Sequence, residues 1–160
     1  MVPPSPSSRP PASLQLALRS IDQAGRDREW TLDVPSDLAY VGAAVDLIAR
    51  HCPPGLLSAR RITFNLRTAF AEALSNAILY GNGSDPAKRV HVRVQAGPDA
   101  LRLHVADEGA GFDPTDLPDP TRPENIERED GRGLFVMRHL VDQVTFNDKG
   151  NAVCLTFRAG

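Results

Sequence analysis

The sequence predicts an α+β domain, and three observations carry that prediction. Short runs of alternating apolar and polar residues come in pairs separated by turn residues. Two longer runs repeat apolar residues at helical spacing. Glycine pairs stand where one strand run ends and where one helical run begins. At 160 residues, 41% hydrophobic and 24% charged, the chain is long enough to bury one core of ordinary size.

Residues 1–13 carry Pro3, Pro4, Pro6, Pro10 and Pro11 among Ser5, Ser7 and Ser8, which predicts a disordered tail ahead of a single domain over 14–160. Leu14, Leu16 and Leu18 alternate with polar or small neighbours, and Trp30, Leu32 and Val34 repeat the pattern beyond a polar turn at 22–28. That is an N-terminal hairpin. Pro35-Ser36-Asp37 supplies a stop and an N-cap, and Leu38, Val41, Val45, Leu47 and Ile48 then mark a helix over 38–51, ending before Pro53-Pro54. A second helix is expected from about Ser58 to Leu79. Phe64, Leu66, Phe70, Ala73, Leu74, Ala77 and Ile78 form its apolar stripe, with Asn65, Glu72 and Asn76 on another face. Gly81-Asn82-Gly83 ends it through left-handed backbone conformations. Val90, Val92 and Val94, the turn Gly97-Pro98-Asp99, and Leu101, Leu103 and Val105 make a second hairpin. Val144 and Phe146 with Val153, Leu155 and Phe157 make a third, across Asp148-Lys149-Gly150-Asn151.

A net charge of −2 lacks the basic footprint of a nucleic-acid or anionic-membrane binder, and no apolar run approaches the roughly 18 residues of a membrane span. Met1 to Pro6 has no basic region leading into an apolar one, so the expected location is cytoplasmic. Cys52 and Cys154 belong to no C-x-x-C pair and read as free thiols, Cys154 buried in a strand. His51, His91, His104 and His139 show no metal-ligand spacing and are expected to face solvent.

Three stretches carry chemistry. Asp107-Glu108-Gly109-Ala110-Gly111 closes a strand with a carboxylate and two glycines, which let backbone lie close to a ligand. Taken alone, D-x-G-x-G suits an exposed turn better. Glu72 and Asn76, four apart, stack a carboxylate and an amide one helical turn apart; alone, that pair suits an exposed polar face better. Gly131-Arg132-Gly133 opens a helical run, where unpaired N–H groups and the positive helix end suit phosphate and Arg132 can add a charge-assisted bond; a plain loop-to-helix junction fits about as well. Between the last two lies a stretch, 112–130, with four prolines and seven acidic residues against Arg122 and Arg128. It has the length of a functional lid or of a disordered loop.

Read together and in this order, Glu72-Ala-Leu-Ser-Asn76-Ala-Ile-Leu-Tyr80-Gly81, Asp107-Glu-Gly-Ala-Gly111 and Gly131-Arg-Gly133-Leu134 resemble the N, G1 and G2 boxes of the GHKL ATPase superfamily. The wording of the first box and the short chain look most like the serine-protein kinase anti-sigma factors, over about residues 14–159. The resemblance implies a Bergerat fold, a mixed, mostly antiparallel sheet with helices packed on one face, holding ATP and Mg²⁺ beneath a lid at 112–130. It implies Glu72 as general base and Asn76 as the Mg²⁺ ligand. Asp107 would accept from the adenine amino group, where guanine presents an oxygen. Gly109 and Gly111 would give the base room, Gly131 and Gly133 would line the phosphates, and Tyr80, Arg132 and Leu134 complete the nucleotide-binding set. Tyr80 departs from a histidine frequent at its position.

The function so implied is an ATP-dependent serine/threonine kinase that phosphorylates a small STAS-type anti-sigma-factor antagonist and otherwise sequesters a sigma factor. The alternatives are an ATP-binding, partner-sequestering module without transfer, and a histidine-kinase catalytic domain or chaperone-like ATPase. Against the last, His51 is followed by a helix stop and no transducer follows Gly160. The apolar N-terminal hairpin and the resemblance point to a homodimer paired through an edge strand such as Leu14–Leu18.

Overall fold

The computed structural model describes residues 14–20, 28–111 and 136–160. The N-terminal tail, most of the turn at 22–28, the loop at 112–130, and Gly131, Arg132, Gly133 and Leu134 lie outside the described residues. Six strands form one sheet: β1 (Gln15–Ser20), β2 (Arg28–Pro35), β3 (Arg89–Ala96), β4 (Ala100–Ala106), β5 (Gln143–Phe146) and β6 (Ala152–Arg158), in the order β1-β2-β3-β4-β6-β5. Every pairing among the described residues is antiparallel, the mostly antiparallel sheet expected. Two helices join β2 to β3, which runs antiparallel to β2 beside it.

Alternation decides the faces. Trp30, Leu32 and Val34 lie opposite Val94, Val92 and Val90, and Leu103 opposite both Val94 and Leu155, so successive strands contribute to one continuous apolar face. These side chains are buried, each worth about 2 kcal/mol when fully withdrawn from water. Against them pack α1 (Val41–His51), through Ala44, Val45 and Ile48, and α2 (Arg67–Asn76), through Ala69, Phe70, Ala73 and Leu74. Asp37 starts the first helical segment by accepting from the Ala39 amide at 2.9 Å, and extended Cys52 ahead of Pro53 stops α1.

The second helix is longer than its pattern suggests and is not uniformly α. Flanking α2 are π-helical stretches, Arg61–Leu66 and Ala77–Gly81, so the helical path reaches Gly81 rather than Leu79. Three expectations are corrected. Phe64 is 61% exposed: it lies two residues from both Ile62 and buried Leu66, about half a turn round the helix from the side that packs. Asn82 keeps a right-handed backbone (φ −89°), and the left-handed positions fall at Gly83 (φ 59°) and Ser84 (φ 55°). Cys154 is only half-buried, because the register places it opposite His104 on the polar sheet face. There it competes with Gln95 for His104, whose Nε2 lies 3.1 Å from Gln95 Oε1 and 3.8 Å from Cys154 Sγ. Burial, with Arg93 and Arg102 nearby, lowers the His104 pKa.

Candidate functional site

The candidate site forms where the end of the second helix meets the turn after β4. Glu72 and Asn76 lie one turn apart on α2, both half-buried, and neither side chain has a hydrogen-bond or ion-pair partner among the described residues. A carboxylate and an amide oxygen with unspent acceptor capacity are what a proton acceptor and a hard-cation ligand require. Mg²⁺ takes few protein oxygens when phosphate supplies the others, so Asn76 alone fits such a role. Tyr80, in the π-helical turn that follows, is 52% exposed.

Asp107 follows β4 immediately. Its amide donates to the Asn151 carbonyl at 2.9 Å, and its Oδ1 accepts from the Gly109 amide at 2.8 Å, an Asx turn that aims the carboxylate back over the helix end. Burial pushes the Asp107 pKa up; the Gly109 hydrogen bond and the charges of Lys149 and Lys88 work against that. Oδ2 takes no protein hydrogen bond among the described residues and lies over Gly81, where an added Cβ would come within 2.2 Å of it.

The glycines explain how the pieces come so close. A Cβ on Gly109 would stand 2.0 Å from the Gly81 carbonyl oxygen, and one on Gly111 (φ 82°) 1.9 Å from the Lys149 carbonyl oxygen. The space these residues open is therefore occupied by backbone: the helix end on one side, the β5–β6 turn on the other. That turn is itself stiffened, Asn147 Oδ1 accepting from the Asn151 and Ala152 amides at 3.0 and 3.2 Å.

Asn82 is the residue that sequence reasoning missed. It is 2% exposed, its Oδ1 accepts from the Glu108 amide at 2.7 Å, and its Nδ2 donates to Ser36 Oγ at 2.9 Å and to the Arg89 carbonyl at 3.0 Å. Between two glycines it passes for a turn residue. The signal available was an asparagine placed just beyond the helix that carries Glu72 and Asn76. The structure thus brings Gly81 of the first motif against Asp107 and Gly109 of the second, at the end of the helix that carries Glu72, Asn76 and Tyr80, while Gly111 rests against the β5–β6 turn. The third motif, Gly131, Arg132, Gly133 and Leu134, lies outside the described residues. The helical residues that follow it, 136–140, are tied to the second helix, where Asn65 Nδ2 donates to the Leu140 carbonyl at 2.9 Å.

Comparison with known proteins bears on the same stretches. Residues 34–157 match the histidine kinase-like ATPase domain. The chain is 32% identical over 136 residues to the serine-protein kinase RsbW of Bacillus subtilis, covering 78% of this chain and 82% of that protein. It is 28% identical over 100 residues to the serine/threonine-protein kinase BtrW of Bordetella bronchiseptica, covering 60% and 70%. To the anti-sigma F factor of Geobacillus kaustophilus it is 33% identical over 90 residues, covering 54% and 60%. Among the described residues no helix is long and apolar enough to cross a membrane.

Proposed function

Because the chain belongs to the histidine kinase-like ATPase domain family, we propose that it binds ATP between the second helix and the Asp107 turn and transfers the γ-phosphoryl group to a small STAS-type antagonist. The enzyme is a serine/threonine protein kinase of the anti-sigma factor type, in keeping with its curated relatives. The observation that carries the reading is the contact of Gly81 with Asp107 and Gly109, which seats a half-buried carboxylate at the end of the helix bearing Glu72 and Asn76.

In this reading Asp107 Oδ2 accepts from the exocyclic amine of adenine. Guanine presents an oxygen to the same carboxylate, leaving two acceptors facing one another, so the site selects adenine. Asn76 would hold Mg²⁺ through its side-chain oxygen, and the ion would neutralise phosphate charge. Glu72 takes the proton of the attacking serine or threonine hydroxyl; the new bond forms from that oxygen to the γ-phosphorus as the bond to the bridging oxygen breaks, and ADP leaves. Tyr80, Gly109 and Gly111 border the base, and Gly131, Arg132, Gly133 and Leu134 complete the phosphate side, with 112–130 as lid within one domain over 14–160. The antagonist and a sigma factor compete for the protein in a partner switch, in the cytoplasm. The protein pairs as a homodimer through β1, an edge strand of the sheet.

The test is phosphoryl transfer from labelled ATP to purified STAS-type antagonists. Wild type should phosphorylate a serine or threonine, and Glu72→Gln should lose about a hundredfold or more of the rate while still binding ATP. Transfer at the wild-type rate in Glu72→Gln would remove Glu72 as the base.

A further inference from the structure

Asn82 joins four segments: the end of the second helix, the residue after β2, the start of β3 and the acidic turn. Its own backbone closes the π-helical turn, donating to the Ala77 carbonyl at 2.8 Å. Its Nδ2 donates to Ser36, just after β2, and to Arg89, at the start of β3; Ser36 Oγ in turn donates to the Lys88 carbonyl at 2.7 Å. Its Oδ1 accepts from Glu108, in the acidic turn. One acceptor and two donors on a single short side chain are what this position uses, and only asparagine supplies them. Aspartate keeps the acceptor and loses both donors, while glutamine is a methylene too long.

The consequence is geometric. The Glu108 amide is one peptide unit from the Asp107 Cα, so whatever fixes that amide fixes the origin of the Asp107 side chain. On the other side of the turn, Gly109 rests against the Gly81 carbonyl oxygen and can come no nearer. Gly81–Gly109 is a stop that prevents closer approach, and Asn82–Glu108 is a tie that prevents separation. We propose that Asn82 is a positioning residue for nucleotide selectivity: through the Glu108 amide it sets the spacing between the helix end and the Asp107 carboxylate, and thereby the ability of the site to tell adenine from guanine. The inference rests on the adenine role of Asp107 proposed above.

The experiment compares ATP and GTP affinity in wild type, Asn82→Ala, Asn82→Asp and Ser36→Ala, at a temperature where melting curves show each variant folded. Asn82→Ala should lose about tenfold of the ATP-over-GTP preference, the worth of one buried hydrogen bond. Ser36→Ala breaks the far side of the network and leaves the Glu108 bond in place, so it should melt lower yet keep its preference. Asn82→Asp should melt at or below Asn82→Ala yet discriminate better, an inversion that a merely structural role does not give. Should both Asn82 variants fail to fold, hydrogen exchange in wild type decides. The Glu108 amide should be protected although its residue is exposed, and fast exchange there would overturn the tie. A selective wild type whose preference survives in Asn82→Ala overturns this inference alone. A wild type that binds ATP and GTP alike overturns the adenine reading, and this inference with it.

Discussion

Among the described residues, two sets of glycines stand in contrast. At Gly81, Gly109 and Gly111 an added methyl group would lie 2.2, 2.0 and 1.9 Å from other atoms, while at Gly42, Gly55 and Gly83 it would meet nothing within 4 Å. Gly83 and Gly55 are glycine because the backbone turns left-handed there (φ 59° and 83°); the chain bends, but nothing crowds it. Gly109 and Gly111 are glycine because the acidic turn touches backbone on both sides, the helix end and the β5–β6 turn, and Gly81 because the Asp107 side chain lies directly over it. The difference shows that the candidate site is a junction held at contact distance, whereas the other turns only reverse the chain.

Predictions that break or sharpen this contrast run from large to small. Of the four substitutions compared, Gly109→Ala should have the greatest effect, since its Cβ meets backbone rather than a movable side chain. ATP affinity measured by calorimetry should fall more than tenfold, and stability to urea by about 2 kcal/mol or more. Gly81→Ala meets the Asp107 carboxylate, which can rotate away, and the Asp107 Cβ at 2.8 Å, which needs only a small shift of the turn. It should lose ATP-over-GTP preference and cost less stability than Gly109→Ala, and a loss of stability equal to that of Gly109→Ala would contradict the distinction drawn here.

Asp107→Asn tests the carboxylate itself. Because burial raises its pKa, native Asp107 holds its proton to higher pH than the unfolded chain does, so ionisation lowers stability as pH climbs from 3.8 through the raised value. The empty Asp107→Asn protein should therefore gain on wild type through that window in urea titrations at a series of pH values, while binding ATP more weakly at neutral pH. Gly42→Ala is the smallest change. It sits exposed in α1 with open space around it, and should stabilise the protein by about 0.5–1 kcal/mol without altering nucleotide binding.

Much of the fold was legible because period and face coincide. Val90, Val92, Val94, Leu101, Leu103 and Val105 alternate in sequence, and all are buried in the sheet's inner face. Phe64 misled because hydrophobicity says nothing of direction: half a turn from its packed neighbours, it faces out. Of the site, the motif glycines and Asp107 stood out by residue type and spacing. Asn82 did not, since its three partners come from 46, 7 and 26 residues away and no local pattern records them. Nor could the sequence tell that Gly111 faces the Lys149 carbonyl, a contact made by two turns on adjoining strands.

The most direct test of the central claim, that the junction of the second helix and the Asp107 turn is an adenine-nucleotide site, is calorimetric titration of the purified protein with ATP, with and without Mg²⁺, and with GTP alongside. The account predicts binding that is stronger with Mg²⁺ and selective for ATP over GTP. Equal affinity for the two nucleotides, or no binding of either, would contradict it.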